Sequence, residues 1–259
     1  MDYTRNRSPL GVGSFIMDEL KISTGSFDLN DWLCGGYEKD VITMIVGPPG
    51  SGKTNFCVLV SCSQAKIGSK IIFVDTEGGF SVERIKQIAG ENYKDVLEKI
   101  LLLAPTSFEE QRNNFLKLLQ KIKKEHVSLI IIDGMATLYR LELGDAIQSK
   151  KDLRIKEVNL EVARQMRILS EIARKQNIPV IVTNQVYEGF LSEEDWKKGI
   201  KREANIVGGD LLKYWSKCII ELKLDGNRRK AILLKHRSLG QKEMNFEVRD
   251  KGIFKKRWI

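Results

Sequence analysis

Gly47-Pro48-Pro49-Gly50-Ser51-Gly52-Lys53-Thr54 stands between an apolar run, Ile42-Thr43-Met44-Ile45-Val46, and a stretch that reads as helix from Lys53 to Gly68. It fits the pattern G-x-x-x-x-G-K-[ST], in the strand–loop–helix context that such a loop requires. Glycines let backbone N–H groups close around phosphates, and the N-terminus of the following helix favours their negative charge. In that arrangement Lys53 reaches the β- and γ-phosphates and Thr54 ligates Mg²⁺. A Gly/Pro turn that merely happens to precede a lysine would leave the other fixed positions unexplained. All eight residues from Gly47 to Thr54 are therefore expected to bind a nucleoside triphosphate.

Outward from this loop, short apolar runs alternate with helical patterns. Lys70 to Asp75, Ile100 to Ala104, Leu129 to Asp133 and Pro179 to Thr183 read as strands. Ser107 with Glu110 three residues later forms a capping box that opens a helix to about Glu125. Between Ile155 and Gln176 the apolar positions Ile155, Val158, Val162, Met166, Leu169 and Ala173 recur every three or four residues, as in an amphipathic helix. Strands apolar throughout, alternating with helices, predict an α/β fold with a mostly parallel central sheet flanked by helices. Beyond it, Ser216 to Leu224 and Arg229 to Leu234 flank the turn signal Asp225-Gly226, and Met244 to Val248 and Ile253 continue a C-terminal β-rich extension. Residues 1–21 read as a disordered tail, with Met17 an alternative start, and 22–259 as the core with its C-terminal hairpin region.

Composition sets the boundaries of function. With 259 residues, 42% hydrophobic, 30% charged and five prolines, the chain can bury a large core and is neither collagenous nor low-complexity. Its 43 Lys and Arg against 34 Asp and Glu give +9, an excess suited to a polyanionic partner. Four cysteines in no C-x-x-C spacing and two isolated histidines disfavour a zinc site and a disulfide framework, and point to a reducing compartment. No apolar run approaches the ~20 residues of a spanning helix, so a cytoplasmic protein without a membrane partner is expected.

Three polar residues extend the phosphate site. Asp133 ends an apolar strand, where a carboxylate can hold Mg²⁺, through water, or merely cap a turn. Glu77, two residues past the strand ending at Asp75, either orients an attacking water or supplies negative charge ahead of the helix at Ser81. Gln185, just after the strand ending at Thr183, is placed to sense the γ-phosphate. Basic residues fall in clusters: Lys150, Lys151, Arg154 and Lys156; Lys197, Lys198, Lys201 and Arg202 beside Trp196; Arg228, Arg229 and Lys230; and Lys235, His236 and Arg237. Cations of this kind contact DNA phosphates, and an aromatic such as Trp196 stacks a base or packs in the protein. Charge runs also make solvated faces, Glu193-Glu194-Asp195 offset the second cluster, and His236 is as readily structural as DNA-contacting.

Taken in order, these segments resemble the RecA/RadA recombinase superfamily, and in particular its short archaeal members. Ser23-Thr24-Gly25-Ser26-Phe27-Asp28-Leu29 is similar to the family's TGxxxLD opening, with Asn30 where Asp is usual, and is followed by Leu33-Cys34-Gly35-Gly36. Asp75-Thr76-Glu77-Gly78-Gly79-Phe80 through Glu83-Arg84 resembles DTEGxFxxER. Ile132-Asp133 through Arg140, Ala163-Arg164-Gln165-Met166 and Thr183-Asn184-Gln185-Val186 continue the series, and Lys235-His236-Arg237 resembles a KHR segment of the short members. The resemblance covers about residues 22–254 and implies a RecA-like P-loop ATPase core with ATP and Mg²⁺ as ligands; the choice of ATP over GTP rests on it alone. It implies that Glu77 positions the attacking water, that Gln185 links the γ-phosphate to a DNA loop, and that residues 141–156 and 186–208 face DNA, single-stranded by expectation. A full recombinase carries an N-terminal helix-hairpin-helix domain, for which two dozen residues are too few, and the polymerisation motif Phe-x-x-Ala occurs nowhere in this sequence. The expectation is thus an ATP-binding, DNA-binding accessory or mediator of recombination and repair with weak ATPase activity and no strand exchange of its own. Its partners would be a RadA-like recombinase and a Holliday-junction resolvase. Two other readings stay open: a nucleotide-switched loading protein with little DNA affinity, and a KaiC-like ATPase of the same superfamily.

Overall fold

A computed structural model describes residues 20–124, 126–188 and 204–256. The tail expected over residues 1–21 therefore lies almost wholly outside the described residues, as does the centre of the second DNA-facing segment.

Strand β3 (Ile42–Gly47) is buried on both faces along its whole length, as its unbroken apolar sequence requires. It lies between β7 (Val180–Glu188) and β9 (Ser216–Asp225), parallel to both. From β7 the parallel sheet continues through β6 (Val127–Asp133) and β4 (Lys70–Asp75) to β5 (Ile100–Leu103). On the other side β10 (Arg228–Lys235), β11 (Lys242–Arg249) and β12 (Gly252–Lys255) add antiparallel strands to β9, so the C-terminal extension is a continuation of the same sheet. A separate two-stranded ribbon pairs β1 (Lys21–Ile22) with β2 (Tyr37–Glu38).

Helices cover both faces over two apolar layers. One layer packs α1 (Phe27–Trp32), α2 (Lys53–Lys66), α3 (Val82–Ala89) and α4 (Tyr93–Glu98) against Ile45, Phe73, Ile131 and Ile220. The other packs α5 (Phe108–Lys124), α6 (Thr137–Gln148), α7 (Asp152–Gln176) and α8 (Gly209–Trp215) against Met44, Val74, Ile132 and Val182. Helix α2 carries no polar face because it is buried nearly all round, with ten of its residues enclosed. It stops as expected at Gly68, whose φ of +87° suits glycine: Gly68 N–H donates to Ala65 O and Ser69 N–H to Gln64 O, the paired bonds of a Schellman motif. Along α7 the expected stripe is buried at Val158, Val162, Met166, Leu169 and Ala173.

The structure departs from expectation in four places, three read from local sequence and one from the resemblance. Ser107 Oγ accepts from Glu110 N–H, but the Glu110 carboxylate reaches back to the N–H and hydroxyl of Thr106 instead of Ser107. Strand β7 runs past Thr183 to Glu188, because β8 (Ala204–Ile206) pairs with its far end. The hairpin turn is Gly226-Asn227, one residue later than Asp225-Gly226, since Asp225 still pairs with Arg228. Residues 141–156 are mainly helical, the end of α6 and the start of α7, with the chain reversing at Ser149–Lys151. Local helix propensity and the packing of α6 on α7 take precedence there over an open loop.

The outer strand β12 is closed by α1. Ser26 Oγ caps α1, accepting from Leu29 N–H at 3.3 Å, and donates to Ile253 O at 2.6 Å. Asp28 accepts from Lys255 N–H at 2.8 Å. Two backbone groups that this edge strand would offer to another chain, Ile253 O and Lys255 N–H, are thus paired within the molecule.

Candidate functional site

The Gly47–Thr54 loop leaves the C-terminal end of β3 and enters α2 at Gly52, whose φ of +110° admits only glycine without strain. No side chain caps α2, so the N–H groups of its first turn remain directed into the loop. A side chain at Gly47 would collide with Leu222 O at 2.6 Å and Ser51 Oγ at 2.7 Å, so the back of the cradle is formed by β9. Lys53 is buried, and its Nζ donates to the carbonyls of Gly47 and Pro48, both at 3.0 Å. Burial lowers its pKa, against the opposing pull of the Glu77 and Asp133 carboxylates.

Strands β4, β6 and β7 bring the other polar groups to the same end of the sheet, since Asp75 pairs with Asp133 and Gly47 with Gln185 in register. Asp133 is fully buried. Its Oδ1 accepts from Thr183 Oγ1 at 2.6 Å, whereas Oδ2 and the buried Ser51 Oγ have no protein partner. Burial raises the Asp133 pKa, with the Thr183 hydroxyl opposing. Thr54 Oγ1 and Asp133 Oδ2 both come within 4 Å of one point, the place a Cβ on Gly79 would occupy. Unpartnered anionic and hydroxyl oxygens beside a phosphate cradle fit a hard divalent cation coordinated by oxygen. Thr54 and Asp133 are the residues that would hold it, directly or through water.

Asp75 shapes the turn that presents Glu77, accepting from the N–H groups of Glu77, Gly79 and Phe80 at 3.1, 3.2 and 2.8 Å. Glu77 does not cap the following helix; Ser81 does that. Its Oε1 accepts from Gln185 Nε2 at 3.0 Å and from Thr137 Oγ1 at 2.7 Å. Lys53, Thr54, Glu77, Asp133 and Gln185 are thereby gathered at one edge. Sequence reasoning missed Thr137 and Thr183 as individual actors. Thr137 lies in a quoted segment, but nothing local marks its hydroxyl as reaching a residue on another strand. Arg84 ties the site to the extension, donating to Asn55 on α2 and to the Arg249 and Asp250 carbonyls in the β11–β12 turn.

The basic clusters are dispersed. Lys150 and Lys151 are exposed at the α6–α7 reversal. Arg154 is held by Glu142 and Glu157. Lys235 donates to Lys213 O at 2.9 Å. Arg237 pairs with Glu38 and Asp40 at 3.0 and 2.9 Å. The ring of His236 is enclosed; its Nδ1 accepts from Ser238 and Leu239 N–H, and its Nε2 lies 3.5 Å from buried Glu38. Trp196, Lys197, Lys198, Lys201 and Arg202 lie outside the described residues.

A parallel sheet that delivers a phosphate loop, a buried carboxylate with one unbonded oxygen and a second carboxylate to one end defines the molecule as a P-loop nucleoside triphosphatase. Comparison with protein families matches residues 17–256 to the Rad51 family. The sequence is 41% identical over 241 residues to the DNA repair and recombination protein RadB of Methanobrevibacter smithii, covering 91% of this chain and 96% of that protein. It is 43% identical over 229 residues to RadB of Methanocaldococcus jannaschii, covering 87% and 98%, and 38% identical over 244 residues to RadB of Methanosphaera stadtmanae, covering 93% and 98%. The chain belongs to the Rad51 family of ATP- and DNA-binding recombination proteins and, within it, to the archaeal RadB family. Among the described residues no helix is long and apolar enough to cross a membrane.

Proposed function

We propose that this protein is an ATP-dependent, DNA-binding accessory factor of homologous recombination and repair that hydrolyses ATP slowly and does not exchange strands by itself. It acts on single-stranded DNA beside a RadA-like recombinase or a Holliday-junction resolvase. The observation that carries this reading is the hydrogen bond from Gln185 to Glu77, because it joins the phosphate end of the sheet to the strand that leads into residues 186–208.

In this reading the triphosphate lies across Gly47–Thr54, with backbone N–H groups and the α2 N-terminus stabilising its charge. Lys53 exchanges its two carbonyl partners for phosphate oxygens, a stronger charge-assisted pairing. Bound Mg²⁺ supplies neutralisation of charge on the transferring phosphoryl group. Glu77 orients a water for in-line attack. Gln185, on the same carboxylate, transmits the state of the nucleotide to the DNA-facing segment.

The experiment is a fluorescence-anisotropy titration of a labelled single-stranded oligonucleotide with the full chain, with and without Mg-ATP, at two salt concentrations. Salt-sensitive binding that shifts with ATP is the expected result. Absence of binding in every condition overturns the DNA-binding reading in favour of a nucleotide-switched loading protein.

A further inference from the structure

Glu77 is held from two directions at one oxygen. Thr137 Oγ1 and Gln185 Nε2 both donate to Oε1, at 2.7 and 3.0 Å. With Oε1 fixed by two donors, the carboxylate cannot rotate freely, and Oε2 is the oxygen left to accept from a water. Thr137 opens α6, yet its hydroxyl does not serve that helix: the cap position is Ala136, which makes no side-chain bond. Backbone geometry is committed to the contact as well. Gly134 sits at φ +89°, and a Cβ there would lie 2.4 Å from Thr76 Oγ1, 2.7 Å from Glu77 Cγ and 2.9 Å from Thr137 Oγ1. Only the absence of a side chain at 134 lets those three groups meet. The Thr76 hydroxyl completes the cluster, its one proton shared between Gly134 O at 2.7 Å and Asp133 O at 3.0 Å, which fixes the base of the Glu77 turn to the end of β6.

We propose that Thr137 is a positioning residue for the water-orienting carboxylate: its hydroxyl fixes Glu77, so that hydrolysis depends on where the first turn of α6 sits. The inference rests on the reading of Glu77 given above. Since α6 runs on to the reversal that exposes Lys150 and Lys151, a ligand that shifts α6 acts on Glu77 through Thr137.

The test is steady-state Mg-ATP hydrolysis by the full chain, with kcat and KM resolved separately, for Thr137→Val, Thr137→Ser and Glu77→Gln. Val keeps the shape and removes the donor; Ser keeps the donor. Misplacing a reacting group costs up to a hundredfold in rate, and loss of one of two donors is expected to lower kcat about tenfold. KM for ATP should stay within about twofold, and Thr137→Ser should return kcat to near the parent value. A Thr137→Val protein whose kcat is within about twofold of the parent overturns the proposal, as does a Ser variant as slow as Val. A merely structural role is recognised by kcat, nucleotide affinity and melting temperature falling together, and it too overturns the proposal. Should Thr137→Val not melt cooperatively, Thr137→Ala is judged by the same criteria. Parent-like turnover in Glu77→Gln removes the water-orienting reading itself, whereas an inactive Glu77→Gln beside an indifferent Thr137→Val removes only the positioning role.

Discussion

A buried carboxylate oxygen without a protein partner is costly to keep, and Asp133 Oδ2 is one such atom. Because burial raises the Asp133 pKa above 3.8, the unfolded chain ionises first, and stability is lost as pH rises from 3.8 through the folded value. Asp133→Asn should therefore raise the melting temperature of the ligand-free protein at pH 7 by a few degrees, about 1–2 kcal/mol, with the gain vanishing in acid. Thermal melts across pH check it. His236 has the opposite sign. Burial lowers its pKa below 6.5, and a proton on Nδ1 would face the two backbone N–H groups that it accepts. Stability is full above pH 6.5 and falls as pH drops toward the folded value, because the unfolded chain takes the proton first. Urea titrations at pH 7.5 and 5.5 should show a loss in the parent that His236→Asn, with an acceptor at the same place, does not share. Local sequence marks Lys53 by the phosphate-loop pattern and Asp133 by its place at a strand end. It is silent on Thr137 and on the enclosure of His236 by Glu38, because both depend on partners sixty or more residues away.

Elements were legible where hydrophobic period and backbone chemistry agree. The apolar strands, the stripe of α7 and the Gly68 stop needed no tertiary information. Elements that depend on a neighbour were not: β7 extends only because β8 pairs with it, and α6 with α7 takes a segment that resemblance alone assigned to a loop. The junction of α1 with β12 is also of this kind, and Ser26 serves both. Ser26→Ala removes a helix cap and leaves the carbonyl of Ile253 without its donor, so a loss of about 1–2 kcal/mol is expected, read as a lower urea midpoint with unchanged slope. A Thr at that position should retain most of the difference.

At the scale of the molecule, the class of fold follows from the sequence but the strand order does not, since a parallel strand gives no local sign of its neighbours. That β9 lies beside β3, making the C-terminal extension part of the nucleotide site, is known only from the pairing itself. Leu224, Phe246 and Val248 of that extension approach Gly50 and Gly52, so ligand binding should stabilise both ends of the chain as one unit. Mg-ATP at a hundred times Kd should add about 2.7 kcal/mol, roughly 5–10 °C in melting temperature, in a single transition. Lys53→Ala should abolish that shift, and a shift that survives in Lys53→Ala would remove Gly47–Thr54 as the site. The wall that β9 builds behind Gly47 also bears on how the protein is made. Strand β3 emerges from the ribosome early, but neither of its flanking strands exists until most of the chain has followed. At ~5–20 residues per second that interval is roughly ten to thirty seconds. Throughout it the phosphate loop has no back wall, and the cradle is completed only when β9 appears, within the last third of the message.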